Sequence, residues 1–166
     1  MLVFALSGLS ACKKGSGSSN GGQETYMSCK INGTLHEFNY GVNANDKPAT
    51  DTEHFVVIGG WEKPDMVTGF GIDMQIDKGA KEGTYVSNSA PGLLLAGKYY
   101  IQQMKDGKIV GTTIFNGGDL EGSSFTMTIT SLTKWGVKGT FSGKLRLLAG
   151  DEYLTVTDGK FSAPYN

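Results

Sequence analysis

From Trp135 to Leu148 the chain reads WGVKGTFSGKLRLL, and its character changes at every second residue. Val137, Gly139, Phe141, Gly143, Leu145 and Leu147 are apolar or small, while Lys138, Thr140, Ser142, Lys144 and Arg146 are polar. A helix would group its apolar residues three and four apart, whereas a strand sends successive side chains to opposite faces. The stretch therefore reads as a β-strand with one face on a core and the other in water, the habit of antiparallel sheets. So long a strand should bend, and Gly139 or Gly143 is the natural place.

The same period runs through the rest of the chain. SFTMTITSL (124–132) sets Phe125, Met127 and Ile129 against Thr126, Thr128 and Thr130. VTGFGIDMQI (67–76) sets Phe70, Ile72, Met74 and Ile76 against Asp73 and Gln75. EHFVVIGGW (53–61) is apolar on both faces and reads as a central strand. MSCKINGTLHEFNY (27–40) carries Asn32-Gly33, a strong hairpin signal that sets Ile31 against Thr34 and Cys29 against His36. Asp-Gly pairs at 106–107 and 158–159 predict two further turns. LLLAGKYYIQQM (93–104) fits a strand or a turn of helix after Pro91. With GTYVS (83–87), KIVGTTIFN (108–116) and EYLTVTDGKFSAPY (152–165), the pattern predicts an all-β domain over 26–166. The expected architecture is an antiparallel β-sandwich or partly closed barrel of about nine or ten strands.

Composition agrees: 25 Gly and 4 Pro suit frequent tight turns, and 166 residues suit one domain with a real core. The formal net charge of −1 argues against nucleic acid as a partner, which requires an excess of Lys and Arg.

The first residues differ from the rest. MLVFALSGLSAC is short, apolar and ends in small residues before Cys12, and KKGSGSSNGGQ is a polar Gly/Ser stretch. Leu9-Ser10-Ala11-Cys12 resembles the lipobox of bacterial lipoproteins. That resemblance implies a signal peptide over 1–11, acylation of Cys12, and a tether over 12–25 joining the lipid to the domain. The basic residues that open such a leader are missing before Leu2, so its true start is expected upstream. A disulfide between Cys12 and Cys29 is the competing state and would exclude lipid.

The order of motifs after residue 26 resembles small Bacteroidota lipoproteins of unknown function. The matching segments are Cys29–Thr34, Gly83–Tyr85, Val137–Leu145 and Thr157–Phe161. The resemblance implies an all-β domain anchored in the cell envelope and brings no activity with it. Surface-exported members carry acidic residues soon after the cysteine, and Lys13 and Lys14 stand there instead. The expectation is an outer-membrane anchor facing the periplasm.

Residues able to carry chemistry are few. Only two histidines exist, His36 and His54. Cys29 opposite His36 supplies two metal ligands where a catalytic zinc needs three. The same pair as a nucleophilic dyad requires an exposed thiol, and the alternation turns Cys29 inward. Asp73 and Asp77 share a strand face but stand about 13 Å apart, beyond glycosidase spacing. Neither a metal, a cofactor nor catalysis is therefore expected. The aromatic residues are the better candidates: Trp61, Trp135, Tyr99 and Tyr100 offer flat faces for stacking on sugar rings. Tyr99 and Tyr100 are adjacent, so one of them must face away from the core. The expected function is a lipid-anchored, non-catalytic binding or interaction module whose ligand the residues do not specify, with a glycan-binding module as an alternative and an envelope protein among the candidate partners. A second reading is a lipocalin-like barrel carrying a small apolar ligand, because Gly59-Gly60-Trp61 has the G-x-W form. Lipocalins place that motif on their first strand, whereas here a hairpin precedes it.

Overall fold

The computed structural model describes residues 24–46, 54–77 and 79–165. These form eleven strands, and no helix occurs among the described residues. In chain order they are β1 (Tyr26–Ile31), β2 (Thr34–Glu37), β3 (Tyr40–Asp46), β4 (His54–Trp61), β5 (Thr68–Ile76), β6 (Gly83–Val86), β7 (Leu93–Lys105), β8 (Lys108–Gly117), β9 (Ser124–Thr133), β10 (Gly136–Leu147) and β11 (Tyr153–Pro164). The ambiguous stretch after Pro91 is strand β7.

All eleven belong to one antiparallel sheet, ordered β2-β1-β11-β10-β8-β7-β5-β4-β3, with β9 on β10 and β6 on β9. β10, the alternating stretch, makes the sheet two-layered. It pairs with β11 from Gly136 to Arg146 and with β9 from Gly136 to Lys144. Only Arg146 and Leu147 pair with β8. The end of β10 therefore passes from the layer β6-β9-β10-β11-β1-β2 to the layer β8-β7-β5-β4-β3. Its register slips beside both glycines, at Lys138/Gly139 against β9 and at Phe141/Gly143 against β11, and in each case the extra residue lies in the partner strand. A single parallel bridge, Ala44 to Tyr165, brings β3 beside β11. The sheet does not close into a barrel, and the arrangement is sandwich-like.

Alternation builds the interior. Phe125, Met127, Ile129, Val137 and Phe141 are all buried. Phe70 on β5 crosses between the layers, its ring centroid 5.0 Å from Phe141, 5.7 Å from Phe38 and 6.3 Å from Phe125. Rings fill the space that a lipocalin-like interior would leave for a ligand.

Two expectations change. β3 was not predicted, because YGVNAND is rich in Asn and Asp, which are depleted in strands. Pairing with β4 and burial of Val42 and Ala44 hold it extended. Asp158-Gly159 is a bulge inside β11 rather than a turn. Asp158 has φ 52°, and the register moves from Phe141–Gly159 to Gly143–Val156. A left-handed residue serves either purpose, so the local sequence does not separate them. At Asn32-Gly33 the hairpin forms in the expected register, Ile31 on Thr34 and Cys29 on His36.

Gly97 marks the closest approach of the layers: a Cβ there would lie 2.0 Å from Cε2 of Phe125. Gly97→Ala should destabilise the fold by about 1–3 kcal/mol, or roughly 2–4 °C in Tm per kcal/mol. Thermal melts would show it, and Phe125→Leu in the same chain should recover part of the loss.

Candidate functional site

The outer face of β4, β5 and β7 has the most distinctive surface. Across these strands Trp61 lies opposite Gly69, and Gly69 opposite Tyr100. One step along, Gly59 lies opposite Gly71, and Gly71 opposite Lys98. Side chains alternate on β5, so burying Phe70 and Ile72 turns Gly69, Gly71 and Asp73 outward.

Glycine at position 69 makes room for two rings. A Cβ there would meet Tyr100 Cε2 at 2.5 Å and Trp61 Cε3 at 2.9 Å. The rings of Trp61 and Tyr100 close over it edge to face, with centroids 5.2 Å apart and planes at 70°. Both residues are half-buried. The Tyr100 hydroxyl reaches along β5, 3.6 Å from where a Gly71 Cβ would be. Burial, and after it the charge of Asp73, push the Tyr100 hydroxyl pKa up. Lys98 donates from Nζ to Asp73 Oδ2, and both side chains keep a solvent-facing surface. Beside this pair Gly59 has only backbone within reach of a Cβ, so the floor there is open. The result is a patch with an aromatic wall, a glycine floor and one ion pair.

The four aromatic candidates therefore part company. Trp61 and Tyr100 come together. Tyr99 points inward, 7% exposed, with its ring edge-on to His36 at 6.0 Å, which corrects its expected role as a stacking surface. Trp135 is 69% exposed in the β9–β10 turn, with Lys134 Nζ 4.8 Å from its ring centroid. It is remote from Trp61: Tyr40 pairs with Trp61, and Ala44, about 13 Å further along β3, bridges Tyr165, which bonds Trp135. Cys12, the expected leader over 1–11 and all but residues 24 and 25 of the expected tether lie outside the described residues.

Cys29 and His36 are neighbours across the first hairpin, as expected. Cys29 is fully buried and a free thiol, and His36 Nδ1 lies 2.6 Å from Glu62 Oε1. Burial, then the charge of Glu62, push the Cys29 thiol up to about 12. Such a thiol stays protonated at neutral pH and is a poor nucleophile. Among the described residues no three His, Cys, Asp or Glu side chains are placed to hold a metal.

On the other layer, Thr126, Thr128, Thr140, Ser142, Asp158 and Lys160 line a groove of about 340 Å³. Two of its polar groups are engaged by residues outside the lining: Thr84 bonds Thr128 at 2.9 Å, and Lys30 pairs with Asp158 at 2.9 Å.

Sequence reasoning missed Lys98, the glycine floor and Glu62. The floor had a signal, Gly at 69 and 71 alternating with Phe70 and Ile72. Lys98 joins the patch, and Glu62 joins Cys29 and His36, only through strand order. No protein-family model, curated protein or solved structure matches this chain.

Because Cys29 ionises near 9.0 when unfolded and near 12 when folded, the folded state holds this proton longer. The associated stability is whole below pH 9 and is lost as the pH rises towards 12. Denaturant midpoints should therefore fall above pH 9, and fall less steeply in Cys29→Ala. Cys29 should react with Ellman's reagent only after unfolding.

Proposed function

We propose that this protein is a non-catalytic binding module of a bacterial cell envelope, held to the outer membrane by lipid on Cys12, and that its ligand is a glycan. The anchor is supported by the lipobox-like Leu9–Cys12 and by the Gly/Ser stretch that follows. The charge pattern at Lys13 and Lys14 favours the periplasmic side. Binding rather than chemistry is supported by the state of the best reactive pair, a buried protonated thiol beside a histidine engaged by Glu62.

The observation that carries the glycan reading is the Trp61–Tyr100 pair beside open Gly59 and the Lys98–Asp73 ion pair. A pyranose has an apolar face of C–H groups and an equatorial rim of hydroxyls. The face fits against an aromatic wall, and the rim meets the carboxylate and the ammonium. An apolar cargo would instead need an interior cavity, and Phe38, Phe70, Phe125 and Phe141 occupy that space.

Screening the full chain on an array of neutral and acidic oligosaccharides tests this. The tightest binder should lose about tenfold in affinity with Trp61→Ala, the equivalent of about 1.4 kcal/mol. Asp73→Asn should weaken it as well. Binding of no oligosaccharide, or binding indifferent to Trp61 and Tyr100, would reject the reading. Membrane fractionation of Cys12→Ala tests the anchor separately; a variant that stays membrane-bound would reject lipidation.

A further inference from the structure

Trp135 is the most exposed of the large apolar side chains among the described residues, at 69%. Tryptophan is highly buried on average, so this much exposure does nothing for the core. Its position is tightly fixed. The β9–β10 turn is held by Thr133 Oγ1, which accepts the Trp135 N–H at 3.2 Å and donates to Gly136 O at 3.3 Å. The carbonyl of Trp135 accepts the Tyr165 N–H at 3.0 Å. A rigid turn thus presents a bare indole, with Lys134 folded over it.

The turn stands at one particular end of the molecule. Gly136 pairs with Pro164 and Lys138 with Ser162, and Ser162 pairs with Tyr26, the first residue of β1. The chain thus enters the domain from Cys12 at the end that bears Trp135. The fourteen residue steps from Cys12 to Tyr26 can span at most about 50 Å. Any surface to which Cys12 is bound lies within that reach of Tyr26. Tethering raises the effective concentration of the domain at that surface to the millimolar range, so even a weak contact is populated.

We infer that Trp135, with Lys134, is a membrane foot: the indole seats in the interface of the bilayer that holds Cys12, and the ammonium stays among the headgroups. Indole is suited to that layer because it has an apolar body and a polar N–H. A lysine beside it lays its methylenes along apolar material while its charge remains in water. Of the acidic groups near this end, Glu82 is engaged, accepting the Leu132 N–H through Oε1 at 3.1 Å, and Glu24 precedes β1. The foot rests on the lipid-anchor reading, and it fixes which end of the domain faces the membrane.

The test makes the anchor chemically, so that it does not depend on acylation in the cell. Cys29 is buried, so maleimide-bearing lipid couples the full chain through Cys12 to phosphatidylethanolamine/phosphatidylglycerol vesicles. Trp61→Phe leaves Trp135 as the sole tryptophan, since the chain has two. Trp135 emission should shift to the blue and lose most of its intensity when the acyl chains are brominated near the headgroup. In the companion Trp135→Phe chain, Trp61 should keep its emission under the same conditions. Emission from Trp135 that ignores brominated lipid, or that responds only to added oligosaccharide, would overturn the inference. Equal quenching of Trp61 and Trp135 would overturn it too, by showing that no particular end faces the lipid. If Cys12 proves unacylated in cells while Trp135 is quenched on coupled vesicles, the anchor reading fails and the affinity of the foot for lipid stands.

Discussion

The fold depends on the ring of Phe70 crossing from one layer to the other. It is fully buried and touches rings from β9, β10 and the segment after β2. Each of those elements arrives from a different part of the chain, so no local sequence creates the contact. Such a stack is non-directional in its main term, the removal of apolar surface from water, and directional in its tilt. Its close approach requires a bare backbone at Gly97, against which Phe125 lies. Glycine on an inner face thus sets how near the layers come.

Glycine on the outer face does the reverse. At Gly69 and Gly71 the missing side chains leave room on a surface that would otherwise be a lawn of polar groups. Trp61 and Tyr100 fill part of that room and shield the backbone of β5, the arrangement by which aromatic rings rescue strand glycines. Most strands here commit one face to the core, so mainly the outer faces, edges and turns are left to differ between proteins of this architecture. The exposed edge at Lys108–Thr113 is left unattractive to other strands. The register slip between Gln103 and Met104 distorts it, and Lys105 and Lys108 flank its tip.

Much of this was legible in the residues. Alternation placed Phe125, Met127, Ile129, Val137 and Phe141 inside, and Asn32-Gly33 fixed the first hairpin to the residue. Adjacency alone required Tyr99 and Tyr100 to part, which they do. What the chain does not announce is which face is in when a strand is short and polar. β3 is hidden for another reason, since its Asn and Asp are depleted in strands and only pairing with β4 holds it extended. A left-handed Asp-Gly was equally hard to assign to a turn or to a bulge. Site membership was less visible still. Lys98 reaches Asp73 because β5 and β7 are neighbours, a fact of strand order over 25 residues of sequence. Trp61 and Trp135 look equivalent in the sequence and are separated by the same strand order.

That separation gives the two tryptophans different partners. Trp61 lies against Tyr40 where β3 begins, while Trp135 is bonded to Tyr165 beside Ala44, further along the same strand. A domain resting on Trp135 would stand with β1 leading up from the lipid and β4 ending at Trp61 on the far side. Successive strand residues advance a fixed distance, so the offset of Trp61 from the Ala44–Tyr165 bridge is set by the sheet, while Trp135 stands in the β9–β10 turn bonded to Tyr165. A glycan held by Trp61 and Tyr100 would then sit about four residues of β3, or ~13 Å, from the Ala44–Tyr165 bridge. A loop would hold such a spacing only loosely, because loops are more mobile than the strands they connect.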